Sequence, residues 1–176
     1  MMGSMAFRFL LWLVGLGAWV GPASGSNPLR LVEEDLAQRY DRVRHCGPGE
    51  LVQRLLQPEP AALFDTRSAQ EFEISHIPGA IRVDPGIPAG EFHRSFGDLA
   101  AGRDVVFYCS VGVRSTALTQ RLQNAACVIG AKSVCNLSGG LFRWHNEGRA
   151  LVSHGRSAKT VHPFDDYWAR FLRPAA

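Results

Sequence analysis

Val105-Val106-Phe107-Tyr108-Cys109-Ser110-Val111-Gly112-Val113-Arg114-Ser115 decides how this chain reads. The first four residues are β-branched or aromatic and form a short apolar run, the mark of a buried strand. The run stops at Cys109, small and Gly-containing residues follow, and Ala117 to Leu122 then read as a helix. A cysteine between a strand end and a helix start lies among unpaired backbone N–H groups, at the positive end of the helix dipole. Such surroundings favour a thiolate, the nucleophilic form of cysteine. Read alone, Cys109 suits a core-filling thiol just as well, because free cysteines are among the most buried residues.

Working outward, short apolar runs alternate with helical patterns. Upstream, Ala61 to Phe64 reads as a strand ending in Asp65-Thr66-Arg67. Ser68 and Glu71 have capping-box spacing and open a short helix to about Ile74. Ser75 to Gly79 is a turn, Ala80 to Val83 a second strand, and Glu91 to Leu99 a short helix after a Pro- and Gly-marked loop. Downstream, the helix after Cys109 runs to about Asn124, residues 128–132 are ambiguous, and Ser133 to Leu137 reads as a strand. Gly139-Gly140 precedes a helix over Leu141 to Trp144 that ends near Gly148. Before all of these, Leu29, Val32, Leu36, Tyr40 and Val43 recur at helical steps, with Gly47 as the stop. Pro48 opens a second helix that closes near Leu56. The alternation implies an α/β domain on a mainly parallel sheet, and such sheets bind ligands at the carboxyl ends of their strands. Cys109 and Asp65-Thr66-Arg67 both fall there.

At 176 residues the chain suits one domain and a leader, and 46% hydrophobic residues suffice for a packed core. A net charge of +3 without any block of like charges gives nucleic-acid binding no support. Arg8 is the sole charge before Arg30, Phe9 to Val20 is apolar, and Gly21 to Ser26 is small and turn-prone. This basic start, apolar core and small-residue exit predict a signal peptide over residues 1–25, or a membrane anchor through residues 5–20 if it is not cleaved. The domain is therefore expected to be exported, to the periplasm or another extracytoplasmic space. Residues 26–45 read as a helical extension, 46–152 as the domain and 153–176 as a tail. In that tail Phe164, Tyr167, Trp168, Phe171 and Leu172 are spaced to pack onto the domain rather than bind a ligand.

Four cysteines, Cys46, Cys109, Cys127 and Cys135, invite pairing in an oxidising compartment. If Cys109 works as a thiol, at most one internal bridge remains, with Cys127 and Cys135 as first candidates because they flank an apparent loop. There is no C-x-x-C and the histidines are scattered, so no metal site is expected.

Three segments resemble a known family. Leu63-Phe64-Asp65-Thr66-Arg67, Glu71-Phe72 and Ser75-His76-Ile77-Pro78-Gly79-Ala80 look like the opening signature of the rhodanese-like family. Cys109 to Ser115 is similar to its active loop, and Asn136 to Trp144 resembles its closing segment. The three occur in the family's order and span roughly Cys46 to Leu151. The resemblance implies a three-layer α/β/α fold around a mainly parallel central sheet, no cofactor, and a cysteine that accepts a sulfane sulfur as a persulfide. One departure is the stretch from Ala125 to Gly130, which is a few residues longer than the pattern.

The residue types suit that chemistry. Sulfur transfer needs a thiolate that attacks a sulfur-bearing donor and later yields its outer sulfur to a nucleophile. Backbone N–H groups of Ser110, Val111, Gly112, Val113, Arg114 and Ser115 can cradle an anionic donor. Gly112 permits the turn, and Arg114 can offer a fork of donors to an oxyanion. Asp65 and Arg67 are expected to brace the strand ends, and His76 to serve its turn. Arg82 and Arg143 are expected either to add positive potential at the mouth or to be plain surface, and Trp144 to be core. Four residues separate Cys109 from Arg114; the related phosphatases and arsenate reductases carry one more, which disfavours that reading. The expected partners are a small thiosulfate-like donor and a thiol or cyanide-like acceptor. The alternative is a persulfide carrier or interaction module that acts with a protein partner.

Overall fold

A computed structural model describes residues 28–123 and 130–173. The expected leader, Cys127 and residues 128–129 of the ambiguous 128–132 stretch lie outside the described residues. Strands β1 (His45–Cys46), β2 (Ala62–Asp65), β3 (Ile81–Arg82), β4 (Asp104–Tyr108) and β5 (Ser133–Leu137) form one sheet in the order β1-β5-β4-β2-β3. All four pairings are parallel. The expected α/β class with a parallel sheet is therefore what forms.

The period of two along the strands builds two cores, one on each face. Val106 and Tyr108 of β4 join Leu63 of β2 on one face, where Leu51 of α2 (Pro48–Leu55) and Leu141 and Trp144 of α6 (Gly140–Asn146) cover them. Val105 and Phe107 join Phe64 on the other, under Phe92 of α4 (Ala89–Ala100) and Leu118 and Leu122 of α5 (Val113–Gln123). Phe64, Phe92, Phe96 and Phe107 form an aromatic knot there, with centroids 5.1–5.6 Å apart. These faces are the three layers α/β/α.

A third cluster joins α1 (Pro28–Arg39) to the rest. Leu29 packs with Val111 of the Cys109 loop, Phe142 of α6 and Phe171 of the tail. The first helix was expected to carry on through Val43 but stops at Arg39, because the following chain is captured by the sheet edge. Asn136 N donates to Arg44 O and Ser138 N to Cys46 O, both at 2.9 Å. The domain is closed by an antiparallel hairpin, β6 (Leu151–Ser153) with β7 (Arg156–Ala158), which straddles the boundary expected at residue 152. Trp144 is buried as expected, and its indole donates to Ala150 O at 2.8 Å.

The candidate pairing of Cys135 with Cys127 lies outside the described residues; among those described, Cys135 faces Cys46. Its Sγ lies 3.0 Å from that of Cys46, on the adjacent strand, and both thiols are buried. The contact with Cys135, together with burial, holds the Cys46 thiol well above the ordinary thiol range. Among the described residues no helix is long and apolar enough to cross a membrane.

Candidate active site

The site is assembled where β4 stops. Its last carbonyl, Tyr108 O, accepts from Thr66 N at 2.8 Å and Thr66 Oγ1 at 3.1 Å. Thr66 itself is fixed by a buried brace: Arg67 Nη2 meets Asp65 Oδ2 and Ser75 O, each at 2.6 Å, and both Asp65 and Arg67 are fully buried. Asp65 and Arg67 thus hold the strand ends, as expected. His76 is likewise structural, stacked on Phe72 with its Nδ1 2.9 Å from Phe72 O.

Beyond Tyr108, the loop from Cys109 to Gly112 leads directly into α5. Gly112 N donates to Cys109 Sγ at 3.2 Å, so a backbone dipole faces the sulfur. Gly112 has φ +101°, a conformation side chains disfavour, and a Cβ there would meet Asn136 Nδ2 at 3.3 Å. Its carbonyl is held by Thr116 Oγ1 at 2.7 Å and Ser115 Oγ at 3.2 Å. Ser115 Oγ also approaches Asn136 Oδ1 at 2.6 Å, and Asn136 Nδ2 faces His45 Nδ1 at 3.2 Å. Burial lowers the pKa of His45, which favours the neutral ring that can accept from Asn136.

The other side of the loop is clamped by α6. Leu141 N donates to Cys109 O at 2.8 Å and Phe142 N to Ser110 O at 2.9 Å. That close approach requires Gly140: at φ +53° a Cβ would collide with Cys109 O and lie 2.7 Å from Ser110 O.

The main electrostatic element is Glu71. It closes the capping box of α3 (Ala69–Ile74), accepting from Ser68 N at 3.0 Å while Ser68 Oγ accepts from Glu71 N at 3.2 Å. The same carboxylate takes a forked pair from Arg114, Nη2 to Oε1 at 2.8 Å and Nη1 to Oε2 at 2.9 Å, and Ser110 Oγ donates to Oε1 at 2.9 Å. Burial raises its pKa, but Arg114, the Ser68 amide and the Ser110 hydroxyl outweigh that and hold it at about 2. Burial lowers the pKa of Arg114 in turn, and Glu71 and the nearby Cys109 more than reverse it. The fork expected to grip a substrate oxyanion is therefore engaged by a protein carboxylate.

Cys109, Ser110, Val111, Val113 and Arg114 line a cavity of about 20 Å³ with Phe164 and Trp168. Gly112 contributes its N–H to the sulfur, and Ser115 turns inward to Asn136. Arg82 does not join them: it is exposed on β3, beside a separate depression lined by Asp84 and Glu91. Arg143 is engaged by Glu33 and Glu147. Glu71, Asn136, Phe164 and Trp168 are the site residues that the sequence reading did not assign. Glu71 was legible as a helix cap and as part of the opening signature, with no site role, and the aromatic pair only as packing. Among the described residues no group of His, Cys, Asp or Glu is placed to hold a metal ion.

Residues 48–147 match the family described as the rhodanese-like domain. A sulfurtransferase of Allochromatium vinosum is 31% identical over 103 residues, covering 58% of this chain and 89% of that protein. A tRNA uridine(34) hydroxylase of Staphylococcus haemolyticus is 30% identical over 87 residues, 47% of this chain, which spans only 26% of that protein. Among solved structures, the thiosulfate sulfurtransferase of Pseudomonas aeruginosa superposes with a TM-score of 0.54 at 25% identity, covering 82% of this chain and 26% of that one.

Proposed function

The chain belongs to the rhodanese-like domain family, and from that premise we propose that it is a sulfurtransferase working through a Cys109 persulfide. The observation that carries this reading is the sulfur of Cys109 at a small cavity, faced by the Gly112 amide and by Arg114. The Cys109 thiolate attacks the outer sulfur of thiosulfate or another sulfane donor. The new S–S bond forms as the donor's S–S bond breaks, and sulfite or a thiolate departs with the bonding pair. A thiol or cyanide-like acceptor then attacks the outer sulfur, and the Cys109 thiolate leaves. No cofactor enters either step.

Phosphoryl transfer finds no support here. It needs a general acid, whereas Glu71, the carboxylate closest to the loop, stays ionised with a pKa of about 2. A second reading, a carrier that discharges only to a protein acceptor, draws on the small size of the cavity. Turnover separates the two. We expect wild-type protein to form thiocyanate from thiosulfate or an organic persulfide plus cyanide, and Cys109→Ser to form none. Equal thiocyanate from the variant would sink the assignment, and loading without turnover would favour the carrier. Export rests on the leader alone, and cell fractionation of the full chain tests it.

A further inference from the structure

We infer that Asn136 is a positioning residue for Cys109: from β5 it tethers the start of α5 to the sheet and so keeps the Gly112 amide aimed at the sulfur. Its part in sulfur transfer rests on the persulfide reading above. Three observations carry it.

The first is place. β5 runs beside β4 with Asn136 opposite Phe107, two residues before Cys109. Its neighbours Cys135 and Leu137 point into the core on one face of the sheet, so Asn136 points to the other, toward α5. That layer is otherwise apolar, built from residues such as Phe107, Leu118 and Leu122. Asn136 is fully buried there, and a buried amide costs stability unless its polar ends are bonded.

The second is that both ends are bonded. The hydroxyl of Ser115, on α5, has a single proton to give. It donates to Asn136 Oδ1 at 2.6 Å, with Gly112 O its longer second acceptor at 3.2 Å. At the other end Asn136 Nδ2 donates to His45 Nδ1 of β1 at 3.2 Å, and burial keeps that acceptor available by lowering the His45 pKa. One side chain thus joins β1, β5 and α5.

The third is what the tether holds. Gly112 N donates to Cys109 Sγ at 3.2 Å, from a backbone at φ +101°. Thr116 N and Thr116 Oγ1 also hold Gly112 O, at 2.9 and 2.7 Å, but both belong to α5 and move with it. Asn136 fixes that unit against the sheet that carries Cys109. Besides its bond to Ser115, its Nδ2 packs on Gly112, 3.3 Å from where a Cβ would stand. Without Asn136 the loop keeps its own turns while the N–H drifts from the sulfur. An amide held at a sulfur favours the thiolate over the thiol.

The test alkylates the full chain with iodoacetamide at pH 7 and at pH 9.5 and follows the Cys109 peptide by mass spectrometry. Accessibility enters both rates alike, so their ratio reads how far Cys109 is ionised at neutral pH. A change that only loosens the loop moves both rates and leaves the ratio. Asn136→Leu and Ser115→Ala, each shown to be folded by its melting curve, should lower the ratio about fivefold relative to wild type. Ser115→Ala alone decides if Asn136→Leu does not fold. An unchanged ratio in either folded variant overturns the inference. The assay uses no sulfur donor, so the two readings fail separately. If the ratios fall but wild type takes up no sulfur from a sulfane donor, the persulfide reading is lost and the positioning role stands.

Discussion

Glu71 shows how much one side chain decides. It caps α3, anchors Arg114 and orients Ser110, and its side chain is 3% exposed. Its pKa falls from the usual 4.5 to about 2, which corresponds to roughly 3 kcal/mol of stability at neutral pH. A depressed carboxylate stabilises the fold above its unfolded pKa, and that stability is lost as pH falls through the folded value. Wild type should therefore lose stability between about pH 5 and pH 2. Glu71→Gln should flatten that part of the curve in urea titrations taken across pH. Because the variant leaves Arg114 without its charge partner, it should also cost about 3 kcal/mol at pH 7. A wild-type curve that is flat over this window would refute the assignment. At this scale the sequence was informative about type and spacing, as with Cys109, Gly112 and Arg114. It was not informative about partners: Arg114 and Glu71 lie 43 residues apart, and their pairing follows from the sheet bringing α3 beside α5.

Among the elements, α6 has the most direct hold on the loop. Its first N–H groups bind the carbonyls of Cys109 and Ser110, and only a residue without Cβ fits between. Gly140→Ala should cost about 2–4 kcal/mol by thermal or urea unfolding and lower persulfide loading along with it. A stable, fully loaded variant would contradict this account of the loop. The cap of α3 is a milder case: Ser68→Ala should lower stability by about 1 kcal/mol, read from the same unfolding curves. The strands β2, β4 and β5 and the helices flanking them were legible because each has a long enough period. The two-residue strand β1 has none. Helical spacing from Leu29 to Val43 concealed it, and its existence depends on the free edge that β5 presents to Arg44 and Cys46. The same edge brings Cys46 to Cys135, which spacing along the chain does not reveal.

Across the whole molecule, the two cores flanking the sheet fix the fold, while the third cluster ties the ends of the described chain to the Cys109 loop. Leu29 from the first helix and Phe171 from the tail both pack on Val111 and Phe142. Phe171→Ala should cost about 3–5 kcal/mol if the cluster unfolds with the domain. Hydrogen exchange would instead show faster opening confined to α1 and the tail if it does not. Helical spacing pointed to packing for the tail aromatics; Phe171 and Leu172 do join the third cluster, but Phe164 and Trp168 also line the Cys109 cavity, a tertiary placement with no local signature. The family fold and the position of Cys109 were readable from three ordered motifs, whereas the aromatic cover over Cys109 was not. The central claim is that Cys109 carries the transferred sulfur. Peptide mapping by mass spectrometry after exposure to a sulfane donor tests it most directly. The account predicts one added sulfur on the peptide holding Cys109, removed by cyanide; added sulfur on Cys46 or Cys135 with none on Cys109 would contradict it.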